Sequence, residues 1–130
     1  MKNEKTILIT DDDIDYLEQM KFHVENFGYK TLTANSQKEC EQIIENEHFD
    51  LAILDLMMEN DDSGFILSYK IKKKNPDLPV ILATSVSSAT RFVFEPENET
   101  EKSWIKADKY LEKGIRPDQL QREISKLLKL

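Results

Sequence analysis

Four short apolar runs end in groups that carry charge or a hydroxyl: Ile7-Leu-Ile-Thr-Asp-Asp-Asp13, Leu51-Ala-Ile-Leu-Asp55, Val80-Ile-Leu-Ala-Thr-Ser85 and Lys109-Tyr-Leu-Glu-Lys113. Runs this short, separated by segments of helical spacing, read as buried parallel strands of an open α/β sheet. Ligands of such sheets bind at the carboxyl ends of the strands. The four runs then deliver three or more carboxylates, a hydroxyl and an ammonium to one crevice. That set suits a divalent cation and a phosphoryl group.

Between the runs the spacing alternates regularly. A first strand over Lys5 to Thr10 leads into an amphipathic helix from Ile14 to Phe27, with Ile14, Leu17, Met20, Val24 and Phe27 near one face. Gly28 ends that helix as its left-handed residue. Tyr29 to Ala34 forms a second strand, and Ser36 with Glu39 makes a capping box for a helix running to Asn46. Asp50 turns the chain into the third strand. Ser63 caps a third helix, which the Asn75-Pro76 step ends. Pro117 opens a last helix carrying Leu120, Ile124, Leu127 and Leu128. The order is strand then helix, five times, with one exception. Residues 86–107 hold Phe92, Phe94, Pro96 and Trp104 among Ser, Glu and Thr without a dominant period, and predict a short or distorted fourth helix with an irregular insertion.

A chain of 130 residues fits one domain and can bury about two-thirds of its unfolded surface. Its formal charge of -7 disfavours direct nucleic-acid binding, which rests on Lys and Arg neutralising phosphates. Cys40 stands alone, so neither a disulfide framework nor a thiolate metal site is available. No stretch approaches the roughly 18 apolar residues of a membrane span, and the first apolar run is too short for a signal peptide. The expected location is cytoplasmic, with no membrane contact.

The acids carry the chemistry. Asp11, Asp12 and Asp13 cannot all face one site, because successive side chains of an extended chain point to opposite sides. At most two of them join Asp55, and Asp13 caps the helix that follows. Two carboxylates about 4 Å apart repel by roughly 4 kcal/mol at a surface-like dielectric, so keeping them together calls for a cation. Hard oxygen ligands without a His or Cys cluster point to Mg2+ rather than zinc. Lys113 is placed to neutralise an anion beside Asp55, and Thr84 to donate a hydrogen bond to it. An aspartate can attack phosphorus, with the metal and the lysine stabilising charge on the transferred oxygens.

With acids after the first strand, Asp55 after the third, Thr84 after the fourth and Lys113 after the fifth, essentially the whole chain resembles the receiver domains of two-component response regulators. The resemblance implies a flavodoxin-like (βα)5 doubly wound α/β sandwich, a five-stranded parallel sheet with helices on both faces. It also implies Asp55 as the phosphoacceptor, and Thr84 and Lys113 as the groups that bind the phosphoryl oxygens. By the same resemblance Asp11, Asp12 (the more direct ligand), Asp55 and the Met57 carbonyl hold Mg2+. Tyr110 matches the aromatic switch residue that changes rotamer as Thr84 is drawn toward the phosphate.

Three departures from the family pattern stand out. Gly114 replaces the proline that usually follows the lysine, often through a cis bond. The loop after Asp55 has Glu59 in place of a proline and is one residue longer. The segment 86–107 is also long, which affects the face through which relatives signal. The family positions that steer the hydrolytic water are Met57 and Val86 here, and neither can bind water usefully, which predicts slow autodephosphorylation.

The resulting expectation is a single receiver domain over 1–130 without an output domain. It accepts a phosphoryl group from a histidine kinase or histidine phosphotransfer protein of a phosphorelay and then changes its affinity for a downstream protein, with room for a phosphorylation-dependent homodimer. It is a signalling switch rather than a metabolic enzyme. The alternative is a receiver-like interaction module that works without phosphorylation, motivated by Gly114 and the odd fourth segment. A haloacid dehalogenase-type phosphatase would want an acid at Met57. A flavodoxin-type cofactor domain would want a Ser/Thr/Gly-rich loop where Asp11 to Asp13 stand.

Overall fold

The computed structural model describes residues 5–56, 58, 63–84 and 108–130. The elements are β1 (Thr6–Thr10), α1 (Ile14–Asn26), β2 (Lys30–Ala34), α2 (Gln37–Asn46), β3 (Leu51–Asp55), α3 (Ser63–Lys74), β4 (Val80–Thr84), β5 (Lys109–Glu112) and α4 (Pro117–Leu128). All neighbouring strands are parallel, in the order β2-β1-β3-β4-β5. This is the flavodoxin-like α/β architecture. The expected distorted helix between Ser85 and Ala107, with Phe92, Phe94 and Trp104, lies outside the described residues, as does the irregular insertion over 86–107.

Strand alternation sorts the apolar residues between two cores. Leu8, Ala52, Leu54, Val80 and Leu82 face one way, against Cys40 and Ile44 of α2 and Phe65, Leu67 and Ile71 of α3. Ile7, Ile9, Leu51, Ile53, Ile81 and Ala83 face the other, against Leu17, Met20 and Val24 of α1 and Leu120 and Ile124 of α4. Helices therefore cover both faces, which is why β3 and β4 are buried at every position. No helix among the described residues is long and apolar enough to cross a membrane.

Local chemistry sets the element ends. Asp13 is the N-cap of α1 and its carboxylate accepts the Tyr16 N–H at 3.2 Å. Gly28, at φ 103°, takes the left-handed turn after α1. Ser36 caps α2 through the Glu39 N–H, but the Glu39 carboxylate reaches back to the N–H of Asn35 rather than of Ser36. Ser63 is not a cap, contrary to the sequence expectation. It is the first helical residue of α3, fully buried, and its hydroxyl donates to Gln37 Oε1 of α2 at 2.8 Å.

The strand order places the site. The chain runs from β2 at one edge across β1 to β3, so the connections on either side of β1 leave in opposite directions and open a crevice at its carboxyl end. Thr10 pairs with Leu54, so the next residues, Asp11 and Asp55, emerge side by side.

Candidate functional site

Asp11 extends the line of β1, donating its N–H to the Ala34 carbonyl at 3.1 Å. Its side chain is buried, and Oδ1 accepts the Asp13 N–H at 2.9 Å, an Asx turn that swings the chain from strand into α1. Asp12 is exposed on the outer side of that turn. Asp55 ends β3 and is 4% exposed. The Leu56 N–H donates to the Ala83 carbonyl at 2.8 Å, so the backbone beyond Asp55 stays in the sheet. One carboxylate oxygen from each of Asp11, Asp12 and Asp55 lies within 4.8 Å of the others.

Lys113 closes the cluster from β5. Its N–H donates to the Thr84 carbonyl at 2.8 Å, and its ammonium lies 2.8 Å from Asp11 Oδ2 and 3.2 Å from Asp55 Oδ1. The Lys113–Gly114 bond is trans, and the missing proline does not prevent this reach. Thr84 is buried at the end of β4, one residue beyond Ala83, the register partner of Asp55. The structure thus brings Asp11, Asp12, Asp55 and Lys113 into one cluster, with Thr84 at the end of the strand beside Asp55. Tyr110 stands apart. It lies on the edge strand β5 and is 44% exposed. Met57 and Val86 lie outside the described residues.

Charge in this cluster is unbalanced: among the described residues, three carboxylates face one ammonium. Burial first, then the Asp11 carboxylate, pushes the Asp55 pKa up to about 7, against the opposing pull of Lys113. Burial alone would lower Lys113, but hydrogen bonding and charge from Asp11 and Asp55 outweigh it and hold the ammonium above its ordinary range. Carboxylates about 4 to 5 Å apart repel by roughly 3–4 kcal/mol per pair at an effective dielectric near 20. Oxygen donors in excess of the local positive charge, with no imidazole or thiolate beside them, fit a hard divalent cation.

Two residues that the sequence did not single out complete the site. Tyr16, on the first turn of α1, donates its phenol to the Lys113 carbonyl at 3.3 Å, and its ring centroid lies 5.1 Å from the Lys113 ammonium. Burial raises its pKa to about 12, so it stays a donor at neutral pH. Gly64, at the start of α3, packs against the backbone that carries Asp55. A Cβ there would lie 2.7 Å from the Asp55 carbonyl oxygen and 2.7 Å from Leu56 Cα.

Residues 7–125 match the family described as the response regulator receiver domain. The chain belongs to that family. The receiver is similar to the CheY-like receiver domain protein of Methanospirillum hungatei JF-1, with a TM-score of 0.81 and 30% identity, covering 98% of this chain and 95% of that one. It is also similar to the response regulator TrrA of Thermotoga maritima, solved in complex with Mg(2+)-BeF. That likeness has a TM-score of 0.77 and 29% identity, and covers 95% of this chain and 98% of the other. Among curated proteins, the probable transcriptional regulator ycf27 of Cyanophora paradoxa is 29% identical over 127 residues, which is 98% of this chain and 49% of that protein. The transcriptional regulatory protein ZraR of Escherichia coli is 31% identical over 122 residues, 94% of this chain and 26% of that protein. The receiver therefore spans half or less of the length of these curated relatives.

Proposed function

We propose that this receiver is a phosphorylation-controlled switch in which Asp55 takes a phosphoryl group from a histidine kinase or a histidine phosphotransfer protein. The observation that carries this reading is the Lys113 ammonium set between Asp11 and Asp55, at 2.8 and 3.2 Å. A carboxylate oxygen of Asp55 attacks phosphorus as the bond to the donor imidazole breaks, and the imidazole leaves with that electron pair. Asp55 must be ionised to attack, and Lys113 favours that form. Lys113 then neutralises a phosphoryl oxygen, and the Thr84 hydroxyl donates to another.

Asp11, Asp12 and Asp55 would hold Mg2+ in this reading, and the ion would supply positive charge against the three carboxylates and the incoming phosphoryl oxygens. As the new phosphoryl group draws Thr84 toward it, Tyr110 changes its exposure and the receiver alters its affinity for a downstream protein. Gly114 motivates the alternative of a module that is never phosphorylated, but a trans bond there is compatible with Lys113 reaching both acids.

Incubation with Mg2+ and acetyl phosphate, read by intact mass, tests the proposal. The wild type should gain one phosphoryl group, and neither Asp55→Asn nor wild type in chelator should gain any. Equal uptake by Asp55→Asn, or none by the wild type, would overturn it. If the site lacks water-steering side chains at Met57 and Val86, the adduct should decay slowly, and Met57→Asn with Val86→Glu should shorten its lifetime.

A further inference from the structure

Lys113 has little covalent help in holding its position. It is followed by Gly114, where a Cβ would meet nothing within 4 Å among the described residues. Both backbone polar groups of Lys113 are nevertheless bound. The N–H goes to the Thr84 carbonyl of β4, and the carbonyl receives the Tyr16 phenol from α1, 97 residues away in sequence. The Tyr16 ring also lies 5.1 Å from the ammonium, within the range over which a ring quadrupole attracts a cation.

Tyr16 is itself tied to the acids. Its N–H donates to the Asp13 carboxylate, the Asp13 N–H donates to Asp11 Oδ1, and Asp11 Oδ2 meets the Lys113 ammonium. A closed circuit results: Asp11, Asp13, Tyr16, Lys113 and back to Asp11. The circuit joins the loop after β1 to the loop after β5 without passing through Asp55.

We propose that Tyr16 is the positioning residue for Lys113, holding its carbonyl through the phenol and its ammonium over the ring, so that the lysine is set between Asp11 and Asp55 before any phosphoryl group arrives. This rests on the reading of Asp55 as phosphoacceptor for its effect on rate, but not for the geometry. The phenol and the ring have separable roles. The phenol fixes the backbone of a residue followed by glycine, and the ring restricts where the side chain can go.

The test compares Tyr16→Phe, which keeps the ring and its packing, with Tyr16→Leu, which loses both contacts, each in wild-type and Lys113→Met backgrounds. The first readout is the rate of phosphorylation by acetyl phosphate at saturating Mg2+, with Mg2+ affinity measured alongside by calorimetry. Tyr16→Phe should slow the reaction about threefold and Tyr16→Leu about tenfold, with Mg2+ affinity nearly unchanged. In the Lys113→Met background, Tyr16→Leu should cause no further loss. The same fold loss in both backgrounds would show that Tyr16 acts on folding rather than through Lys113, and would overturn the proposal.

The second readout needs no phosphorylation. In protein carrying carbon-13 at the lysine ε position, the signal lost in Lys113→Met should be shifted by the Tyr16 ring current. It should stay shifted in Tyr16→Phe and return to the position of solvated lysines in Tyr16→Leu. An unshifted Lys113 signal in the wild type would overturn the inference whatever the fate of acetyl phosphate. A shifted signal in a wild type that takes no phosphoryl group would uphold the positioning and remove only the reading of Asp55.

Discussion

At the amino end of the sheet, Asp50 and Asp108 each tie two strands together. Asp50 accepts the Thr6 N–H at 2.8 Å while donating its own N–H to the Thr6 carbonyl, and its second oxygen lies 3.3 Å from His48 Nε2. Asp108 does the same for β4, accepting the Val80 N–H at 2.8 Å and the Lys72 ammonium at 2.7 Å. At the carboxyl end, Asp11, Asp12 and Asp55 crowd together, and among the described residues Lys113 supplies the ammonium that meets Asp11 and Asp55. The same residue type thus serves two purposes. Where each carboxylate meets its own donors, it adds to stability. Where carboxylates outnumber cations in a buried place, they cost stability.

The sharpest way to break this contrast is to ask whether the carboxyl end is rigid for reasons other than charge. Gly64→Ala should cost about 3 kcal/mol in urea unfolding, because the added Cβ meets backbone atoms of Asp55 and Leu56 that cannot rotate away. It should also slow acetyl phosphate uptake by displacing Asp55. A loss under about 0.5 kcal/mol would mean that the contact between Gly64 and the Asp55–Leu56 backbone yields easily, and that charge alone organises the rim.

The amino end gives the next largest effect. Asp108→Ala should destabilise by about 2 kcal/mol, since it leaves the buried Val80 amide without its acceptor and removes the Lys72 partner. Phosphorylation should be unaffected, because Asp108 lies at the opposite end of the sheet. If Asp108→Ala were neutral in stability, the idea that acids here hold strands together would fail.

The difference between the two ends also marks what the sequence could disclose. Short apolar runs and helical spacing located the strands and helices among the described residues to within a residue or so. Reading off the strand ends named Asp11, Asp55, Thr84 and Lys113, because a polar group closing an apolar run has few other places to go. Tyr16 and Gly64 escaped because their roles depend on contacts across the fold. Tyr16 meets a residue 97 positions away, and Gly64 meets the backbone of Asp55 and Leu56, a contact that no local pattern encodes. A hydroxyl-bearing aromatic in the first turn after the acids was the one available hint for Tyr16. Ser63 was misread for the converse reason: the residue type suits a cap, and only packing against α2 reveals Gln37 as its partner.

The smallest of these effects isolates the electrostatic cost itself. Asp55 has a pKa of about 7 in the fold, raised by burial and by Asp11 from an ordinary carboxyl value near 4 in the unfolded chain. Between those values the folded state binds the proton more tightly, so stability in the absence of Mg2+ should fall as pH rises from about 4 to about 7 and level off above. Asp55→Asn keeps the shape without the charge, and Lys113 keeps Asp11 as its partner. The variant should match the wild type near pH 4, lack the wild type's decline, and be more stable by about 1 kcal/mol or more at about pH 8 in chelator. Mg2+ should reverse that order by stabilising the wild type alone, more strongly at about pH 8 than at about pH 5, where binding must displace the Asp55 proton. Parallel stability curves for the two proteins from about pH 4 to about pH 8 would show that Asp55 carries no excess charge in the fold, and the contrast between the two ends of the sheet would disappear.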